Sequence, residues 1–487
     1  MIDIYLVNTP QNDFRQGNFS LGNSRKNQPL DLALIAAMLK KDKFSVQIQD
    51  ANLLRISHQE IANQIASSKP KMVILNTASI DRWECPMPTV KEPAILSTLI
   101  KEKSPNITIV AVGPHGTVTP NWLLEHCPNI DIAVRGEPEI TVNELAKNFP
   151  LTPEKLNKIL GISYRAKDEV INNPDRPYLE NLDLLPIPAY DLLPMDSYGP
   201  MSDHYNGSRF EGETMPFSIM VTSRGCPGRC TFCLRKMFQD KKTFRSRSPQ
   251  KIVEEISLLV NNFGIKAIYF QDLSFCTDSK RVIEICELIF KNNLKFSWGC
   301  EARFDHISLP MLSKMKEAGC TFINFGLESG SEKVLNLCQK NIPMEVIVQA
   351  IAYCQKVGIS AGCFKLLGLP GEDKESFIET LEFMVKNKIE IPYPFPANKP
   401  LPYPGTDLHQ QAEAEFKRSI FWEEAPEFAG KVGTKFYEEV SPATIQRLAY
   451  AYKLRQEGRK KGKHYLRLLI QEKIGNLKSL LKRVFAS

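Results

Sequence analysis

Long apolar runs are missing from this sequence, since no uninterrupted stretch approaches the roughly 20 residues that cross a bilayer as a helix. Residues 1–7 have the pattern of a strand and lack the cationic start and apolar centre of a secretory leader. The 12 cysteines are few for 487 residues and most lie in apolar surroundings, which argues against a secreted disulfide scaffold. We therefore predict a soluble, cytoplasmic protein in which most cysteines are buried thiols.

Solenoid repeats are absent as well, and so is an excess of positive charge outside the tail. The formal net charge is +7, but residues 441–487 contain 12 Lys or Arg against two Glu, a net of +10 that leaves the remainder near −3. We therefore do not expect the chain to bind nucleic acid. Residues 465–484 place apolar side chains at helical spacing beside basic ones, which predicts an amphipathic helix. Such a helix either contacts a membrane surface peripherally or packs on its own domain.

The length predicts two large domains and an extension. Apolar strand patterns at 2–8, 45–50, 72–77, 107–112 and 130–134 alternate with helical patterns such as 30–40. This alternation predicts an α/β domain, 1–149, with a doubly wound, Rossmann-like parallel sheet. Ligands of such sheets bind at the carboxyl ends of the strands, so the loops that follow these strands are the ones expected to carry function.

The rest of the chain divides into three parts. Residues 150–215 are rich in Pro, Asp and Asn and predict a linker with a small hairpin near 161–172. A second alternating series covers 216–406, with strands predicted at 218–222, 267–270, 295–300, 321–325, 360–366 and 393–398. Six βα units predict a partial TIM-like barrel with active residues at its carboxyl edge. Residues 407–487 predict a helical C-terminal extension.

Three cysteines carry the strongest chemical signal. Cys226, Cys230 and Cys233 lie in a loop directly after the first strand of the second series. Thiolates are soft ligands that suit zinc or iron–sulfur clusters. Three of them can cap three corners of a cubane and leave the fourth iron open, while Gly225 and Gly228 let the loop fold tightly. The alternatives are a zinc site, which normally needs a fourth nearby ligand, and three unrelated cysteines.

These residues, with Phe232 before the third cysteine, resemble the signature of the radical S-adenosylmethionine (SAM) superfamily. Segments 326–330 (GLESG), 367–372 (LGLPGE) and 402–406 (PYPGT) are similar to further parts of that family. The resemblance implies a partial (βα)6 barrel, a [4Fe–4S] cluster, and SAM chelated by the open iron. It also implies reductive cleavage of SAM to a 5′-deoxyadenosyl radical, with electrons from a donor such as flavodoxin or ferredoxin.

Residues predicted to bind SAM are Phe232, Arg303, Glu328 and Ser329. Glu328 ends a predicted strand and can accept a hydrogen bond from a ribose or ammonium group, although an exposed loop carboxylate is the alternative. Arg303 can pair with a carboxylate of the cofactor, and a structural salt bridge is its alternative. Gln271 and Asp272 end another strand and are expected to face the cavity.

The first domain lacks the glycine-rich dinucleotide fingerprint. Segments 29–33 (PLDLA), 113–115 (GPH) and 134–141 (VRGEPEIT) resemble the cobalamin-binding domain of the cobalamin-dependent radical SAM family. The cobalamin contacts predicted on that basis are Asn8, Thr77, Ser79, Gly113, Pro114, His115, Arg135, Gly136 and Glu137. Asn52 stands where related methionine-synthase-like proteins have a cobalt-ligating histidine, so a histidine lower ligand is doubtful. Cys85 is expected to be another buried thiol, and a role near the corrinoid is its alternative.

The resemblance implies a C-methyltransferase that uses the adenosyl radical and methylcobalamin on an unreactive carbon of a small-molecule or lipid-like substrate. A radical oxidative cyclase or ring-rearranging enzyme of the same subclass is the second hypothesis. A corrinoid- or cluster-carrying binding protein is the third. An open iron argues against the third, because electron carriers usually saturate the cluster with four cysteines.

Overall fold

The computed structural model describes residues 2–9, 27–80, 83, 85–167, 169–198, 216–235, 244–396 and 398–458. Its strands are β1 Ile4–Asn8, β2 Val46–Asp50, β3 Met72–Asn76, β4 Thr108–Val112, β5 Ile132–Val134, β6 Ile162–Ala166, β7 Glu169–Asn172, β8 Phe217–Met220, β9 Ser223–Gly225, β10 Phe244–Ser246, β11 Ala267–Phe270, β12 Ser297–Ala302, β13 Cys320–Glu328 and β14 Ser360–Lys365. Its helices are α1 Leu30–Lys41, α2 Ala51–Leu54, α3 His58–Ser68, α4 Lys91–Lys103, α5 Pro114–Val118, α6 Pro120–His126, α7 Pro138–Lys147, α8 Pro153–Leu156, α9 Pro249–Asn262, α10 Ser279–Lys291, α11 Leu309–Glu317, α12 Glu332–Leu337, α13 Met344–Val357, α14 Lys374–Lys386, α15 Asp407–Phe416, α16 Phe436–Glu439 and α17 Pro442–Gln456.

The first sheet has the order β2-β1-β3-β4-β5-β6-β7, and its first five strands are parallel. Every residue of β1 and β3 is buried, as expected of strands covered on both faces. The predicted doubly wound α/β domain is therefore confirmed. Its carboxyl edge carries the loops that follow residues 8, 50, 76, 112 and 134.

The predicted hairpin is present, but its assignment to a linker was wrong. β6 pairs with β5 in antiparallel register, with Ile132 opposite Tyr164, so the hairpin extends the first sheet. The Arg135 side chain fixes this pairing, because its Nη1 donates to the Ile162 carbonyl at 2.7 Å and its Nη2 to the Asn173 carbonyl. The first sheet thus runs to Asn172 and not to the predicted boundary at 149.

The second sheet is parallel and has the order β14-β13-β12-β11-β8. Five of the six predicted strands form, and the described residues of 393–398 contain no strand. Pro394 and Pro396 explain the difference, since neither has an N–H to donate to a ladder. Phe395 between them bonds instead to the Gln446 side chain of α17, which accepts from its N–H and donates to its carbonyl, both at 2.8 Å.

The two domains pack on each other through one hydrophobic core, which contains Ile4 of β1, Ile219 of β8 and Tyr452 of α17. At the junction the buried Gln28 side chain bonds to the backbone of β8, donating to Phe217 O at 2.8 Å and accepting from Ile219 N at 3.1 Å. No helix among the described residues is long and apolar enough to span a membrane. The predicted amphipathic helix at 465–484 lies outside the described residues.

Candidate active site

The cysteine loop leaves the carboxyl end of β8 through the short strand β9. Cys226, Cys230 and Cys233 are all partly exposed, whereas eight of the other nine cysteines are buried and Cys85 is exposed. The expectation of a buried Cys85 was therefore wrong. The Gly228 N–H points at the Cys226 sulfur at 3.4 Å. Within the described residues no three His, Cys, Asp or Glu side chains converge as the ligands of one metal ion.

Backbone hydrogen bonds anchor this loop to the barrel and to the extension. Thr231 N donates to Cys338 O at 3.0 Å, and Leu408 N donates to Thr231 O at 2.9 Å. Phe232 packs against the apolar clusters around Val334 and Leu408. The structure therefore gives Phe232 a packing role between the barrel and the extension, and its contact with SAM stays a prediction.

Arg303 lies beside the cysteine loop. A Cβ atom on Gly228 would come within 2.6 Å of its Nη1, so the glycine leaves room for the guanidinium. The same guanidinium makes a bidentate contact with Asp305, at 3.0 and 2.8 Å. Burial raises the pKa of the Cys226 thiol, while the Gly228 N–H and the charge of Arg303 act in the opposite direction. Arg303 thus places positive charge next to the thiols.

Glu328 faces this charge from the end of β13 and forms a buried ion pair that the sequence analysis missed. Its partner is Lys340, whose Nζ lies 3.0 Å from Glu328 Oε1. A Cβ atom on Gly326 would lie 2.4 Å from that oxygen and 2.6 Å from the ammonium, so the glycine leaves the space the pair occupies. Burial alone would lower the pKa of Lys340, but the Glu328 carboxylate and the Cys230 thiol outweigh it and raise the pKa. The predicted exposed-carboxylate alternative for Glu328 is therefore wrong.

The Ser329 side chain has its hydrogen-bond partners within the protein. Its hydroxyl is fully buried and lies 3.2 Å from the Thr380 hydroxyl of α14. It also accepts from Ser331 N at 3.2 Å. Ser329 therefore shapes the turn after β13, and its contact with SAM stays a prediction.

A polar layer lies inside the barrel below the charged residues. The Glu301 carboxylate accepts from Tyr269 Oη at 2.9 Å and from Gln271 Nε2 at 3.1 Å, and Asn324 Nδ2 donates to Tyr269 Oη at 3.1 Å. Asp272 is not part of this layer, since it accepts from Thr222 and Ser223 and is almost fully buried. The expectation that Gln271 faces the cavity fits this arrangement, whereas that for Asp272 was wrong.

The carboxyl edge of the first sheet is built differently, from small neutral groups. Thr77, Gly113 and Gly136 follow β3, β4 and β5 and meet along this edge. Thr117 Oγ1 donates to Gly113 O at 2.9 Å and accepts from Gly136 N at 3.0 Å, which joins two of the loops. Gly113 has φ +120° and lies so close to Thr77 that a Cβ atom would come within 2.7 Å of its hydroxyl. Ser79 is partly exposed nearby, and Pro114 is the buried first residue of α5.

Two residues predicted to contact cobalamin are buried and have hydrogen-bond partners within the protein. Asn8 is buried and donates to Asp50 Oδ1 at 2.8 Å while accepting from Asn76 Nδ2 at 3.0 Å. His115 is fully buried, with its Nε2 at 2.8 Å from Met87 O and its ring 4.4 Å from that of Trp422. Burial lowers the pKa of His115 to about 4.

Two charged residues after β5 also have other partners. Arg135 holds the hairpin through the contacts described above and pairs with Asp175 at 2.9 Å. Glu137 forms a buried ionic cluster with Glu139, Arg224 and Arg245, which we call the ionic clasp. The side chains of Arg135 and Glu137 are therefore engaged within the protein, and their contact with cobalamin stays a prediction.

Comparison with known proteins identifies both domains. Residues 220–384 match the model of the radical SAM superfamily, and residues 25–146 match that of the B12 binding domain. An uncharacterized methyltransferase of Pyrococcus horikoshii is 33% identical over 386 residues, covering 79% of this chain and 78% of the relative. The anaerobic magnesium-protoporphyrin IX monomethyl ester cyclase of Rubrivivax gelatinosus is 28% identical over 382 residues, covering 75% and 65%.

Solved structures share the fold. OxsB, a cobalamin-dependent SAM radical enzyme solved with aqua-cobalamin and SAM, superposes with a TM-score of 0.69 at 20% identity, over 93% of this chain and 66% of OxsB. The methyltransferase TsrM from Kitasatospora setae, solved with cobalamin and a [4Fe–4S] cluster, gives a TM-score of 0.62 at 16% identity, over 92% and 85%.

The fold and the two matched domains together define a radical SAM enzyme with an N-terminal B12 binding domain. The chain belongs to the cobalamin-dependent radical SAM family, and its cofactors are a [4Fe–4S] cluster, SAM and cobalamin. The residues present fit these groups. Three partly exposed thiols stand beside positive charge at the cysteine loop, and Gly113 and Gly136 add no side chains of their own where the loops of the first sheet converge.

Proposed function

We propose that this enzyme is a C-methyltransferase that acts on an unactivated carbon of a small molecule. The observation that carries the proposal is the direct contact between the base of the cysteine loop and the loop that follows β5. Arg224, two residues before Cys226, lies 3.0 Å from Glu137 of the first domain. A methyl donor held at one edge is thereby next to a hydrogen-abstracting centre at the other. The 33% identity to a relative named as a methyltransferase supports the same reaction.

The proposed site has three parts. Cys226, Cys230 and Cys233 hold the cluster, and the corrinoid lies along the edge that contains Thr77, Ser79, Gly113 and Gly136. When bound, the cluster and SAM supply a 5′-deoxyadenosyl radical, and the corrinoid supplies the methyl group. The chain's own groups orient SAM, whose methionyl part carries an ammonium and a carboxylate. Arg303 and the Glu328–Lys340 pair offer charges of both signs next to the thiols.

The polar layer inside the barrel is the proposed substrate floor. Glu301 and Gln271 lie on neighbouring strands and already share a hydrogen bond, so they form a fixed polar surface. A fixed surface of this kind orients one carbon of a substrate toward the charged edge above it. Replacing Glu301 with Gln should therefore change which substrates are processed more than it changes SAM cleavage without substrate.

The reaction type can be tested before the substrate is known. Protein reconstituted with the cluster and reduced cobalamin is given SAM labelled with deuterium in its methyl group. We expect the label in the corrinoid fraction, because a methyltransferase must load its donor. A corrinoid that stays unlabelled while SAM is cleaved to 5′-deoxyadenosine would contradict the proposal. Comparison of metabolites from wild-type and deletion strains then identifies the product, which gains one methyl group.

A ring-forming oxidative reaction is the second candidate, supported by the 28% identity to a cyclase. Product mass separates the two, because a cyclase removes hydrogen or adds oxygen and adds no carbon. A lipid-like substrate remains a finer prediction that concerns the basic tail. Deletion of residues 465–487 should abolish sedimentation with anionic liposomes and preserve SAM cleavage if the tail contacts a membrane.

A further inference from the structure

The ionic clasp joins the base of the cysteine loop to the loop that follows β5. Glu137 directly precedes α7, and Glu139 lies in the first turn of that helix. Arg224 belongs to β9, which ends just before Cys226, and Arg245 belongs to β10. The ribbon formed by β9 and β10 therefore brackets the cysteine loop at its base.

The two arginines could not occupy this ribbon alone. They stand directly opposite each other in the antiparallel register, and each side chain is only 3% exposed. Like charges at opposed positions repel, and burial removes the water that would screen them. The base of the cysteine loop consequently depends on carboxylates that the ribbon itself does not provide.

The first domain provides both of these carboxylates. Glu137 bridges the two arginines, with Oε2 at 3.0 Å from Arg224 Nη1 and Oε1 at 2.6 Å from Arg245 Nη2. Glu139 Oε1 lies 2.5 Å from Arg224 Nη2. No carboxylate of the clasp is more than 6% exposed. Two carboxylates thus balance two guanidinium groups, and a shift of either loop separates buried charges.

We propose that the ionic clasp is a positioning device that couples the two cofactor sites. Cobalamin at the edge that includes Gly136 fixes the position of the loop bearing Glu137 and Glu139. The ion pairs of the clasp then fix the base of the cysteine loop as well. By linkage, an assembled cluster must in turn strengthen cobalamin binding by the same factor. The proposal concerns cofactor binding alone, so it holds whether the group transferred is methyl or the reaction is a cyclisation.

The test measures cobalamin binding by the full-length protein with and without its reconstituted cluster. Equilibrium dialysis with hydroxocobalamin gives a dissociation constant in each state. In wild type we expect a ratio of about 5- to 150-fold in favour of the cluster-loaded protein. Added cobalamin should also change the electron paramagnetic resonance spectrum of the reduced cluster. Glu139→Gln should bring the ratio close to one and leave the spectrum unchanged on cobalamin addition.

Asp131→Asn is the matched control, because it removes a 2.9 Å ion pair with Lys101 at the opposite, amino edge of the same sheet. It should retain the wild-type ratio. If Glu139→Gln fails to fold, the doubly neutral variant Glu139→Gln with Arg224→Gln replaces it, since it leaves no unpaired buried charge between these two residues. Equal dissociation constants in wild type would overturn the proposal. So would a Glu139→Gln protein that keeps the full ratio, because coupling would then run through direct contact between the cofactors.

Discussion

The carboxyl edges of the two sheets are both proposed to bind cofactors, but one is built from neutral groups and the other from thiols and charged groups. The first edge presents hydroxyls, backbone groups and glycines, such as Thr77, Gly113 and Gly136. The second presents thiols and full charges, including Arg303 and the Glu328–Lys340 pair. The large face of a corrinoid needs room and a fixed backbone. The small zwitterionic part of SAM and an iron–sulfur cluster need charged neighbours instead.

Glycine serves both edges, but for different reasons. Gly113 adopts φ +120°, which side chains rarely occupy, so the backbone itself demands glycine there. At Gly228 a Cβ atom would instead collide with Arg303, and at Gly326 it would collide with Glu328 and Lys340. One edge uses glycine for backbone shape, and the other uses it to make space for charge.

The largest effect is expected when the edge of the barrel sheet loses one of its cluster ligands. Cys230→Ala should abolish the cluster and all cleavage of SAM, because the open-iron cubane depends on three thiolates. Cys338→Ala is the control, since Cys338 is buried and supports the loop through its backbone carbonyl. Iron analysis, visible absorbance and 5′-deoxyadenosine formation check both variants. Wild-type iron content in Cys230→Ala would refute the ligand assignment.

The charged edge should also be sensitive to loss of one member of its buried pair. Lys340→Met leaves the Glu328 carboxylate unpaired and should destabilise the fold by about 3–5 kcal/mol. Combining it with Glu328→Gln should restore most of that stability while SAM binding stays about 10–100-fold weaker. Urea unfolding and calorimetric titration with SAM separate the two effects. A double variant that binds SAM like wild type would mean that the pair is structural only.

The neutral edge should respond to bulk and not to charge. Gly113→Val forces both an unfavourable φ and an overlap with Thr77, so cobalamin affinity should fall about 10–100-fold. SAM cleavage should persist. Gly264→Val is the control, because Gly264 also has positive φ, at +63°, but no atom lies within 4 Å of the added Cβ. Retention of hydroxocobalamin through gel filtration is the measurement. If both variants lose cobalamin equally, the strain of a positive φ and not the overlap with Thr77 would be the cause of the loss.

The smallest expected effect concerns the turn after β14. Glu372 is buried and accepts from Gly368 N and from Leu369 N, and burial raises its pKa from 4.5 to about 8. The folded state therefore holds a proton that the unfolded chain releases, so this contribution to stability is present below pH 4.5 and is lost as pH rises through about 8. Glu372→Gln should remove about 1–2 kcal/mol of the stability change between pH 6 and 8.

Unfolding free energies at both pH values test this prediction. Glu375→Gln alters an exposed carboxylate of the same region and should leave the pH dependence as in wild type. An identical pH dependence in Glu372→Gln and wild type would show that the carboxyl is not protonated in the fold.

Features that depend on neighbours along the chain were predictable from the sequence. The spacing of its cysteines predicts the cysteine loop, and continuous apolar runs predict β1 and β3. Arg303 was a candidate because it follows a strand, and the predicted alternative of a structural salt bridge is present as its contact with Asp305.

Features that depend on distant partners were not predictable. Lys340 carries no motif of its own and reaches Glu328 only because α12 turns the chain back over β13. Glu137 sits in a family-like segment that suggested a ligand contact, yet its partners Arg224 and Arg245 are 87 and 108 positions away. Ser329 likewise has its side chain turned toward Thr380 by a fold contact that no local pattern announces.

The Gln28 side chain has a consequence for any attempt to study the barrel alone. β8 is an outer strand of its sheet, and a strand in that position offers unpaired backbone groups to other chains. Gln28 occupies the carbonyl of Phe217 and the N–H of Ile219 as an adjoining strand would. A fragment beginning after residue 28 would carry that strand uncovered. Self-association of such a fragment would then reflect the loss of this amide cap rather than a natural oligomeric state of the enzyme.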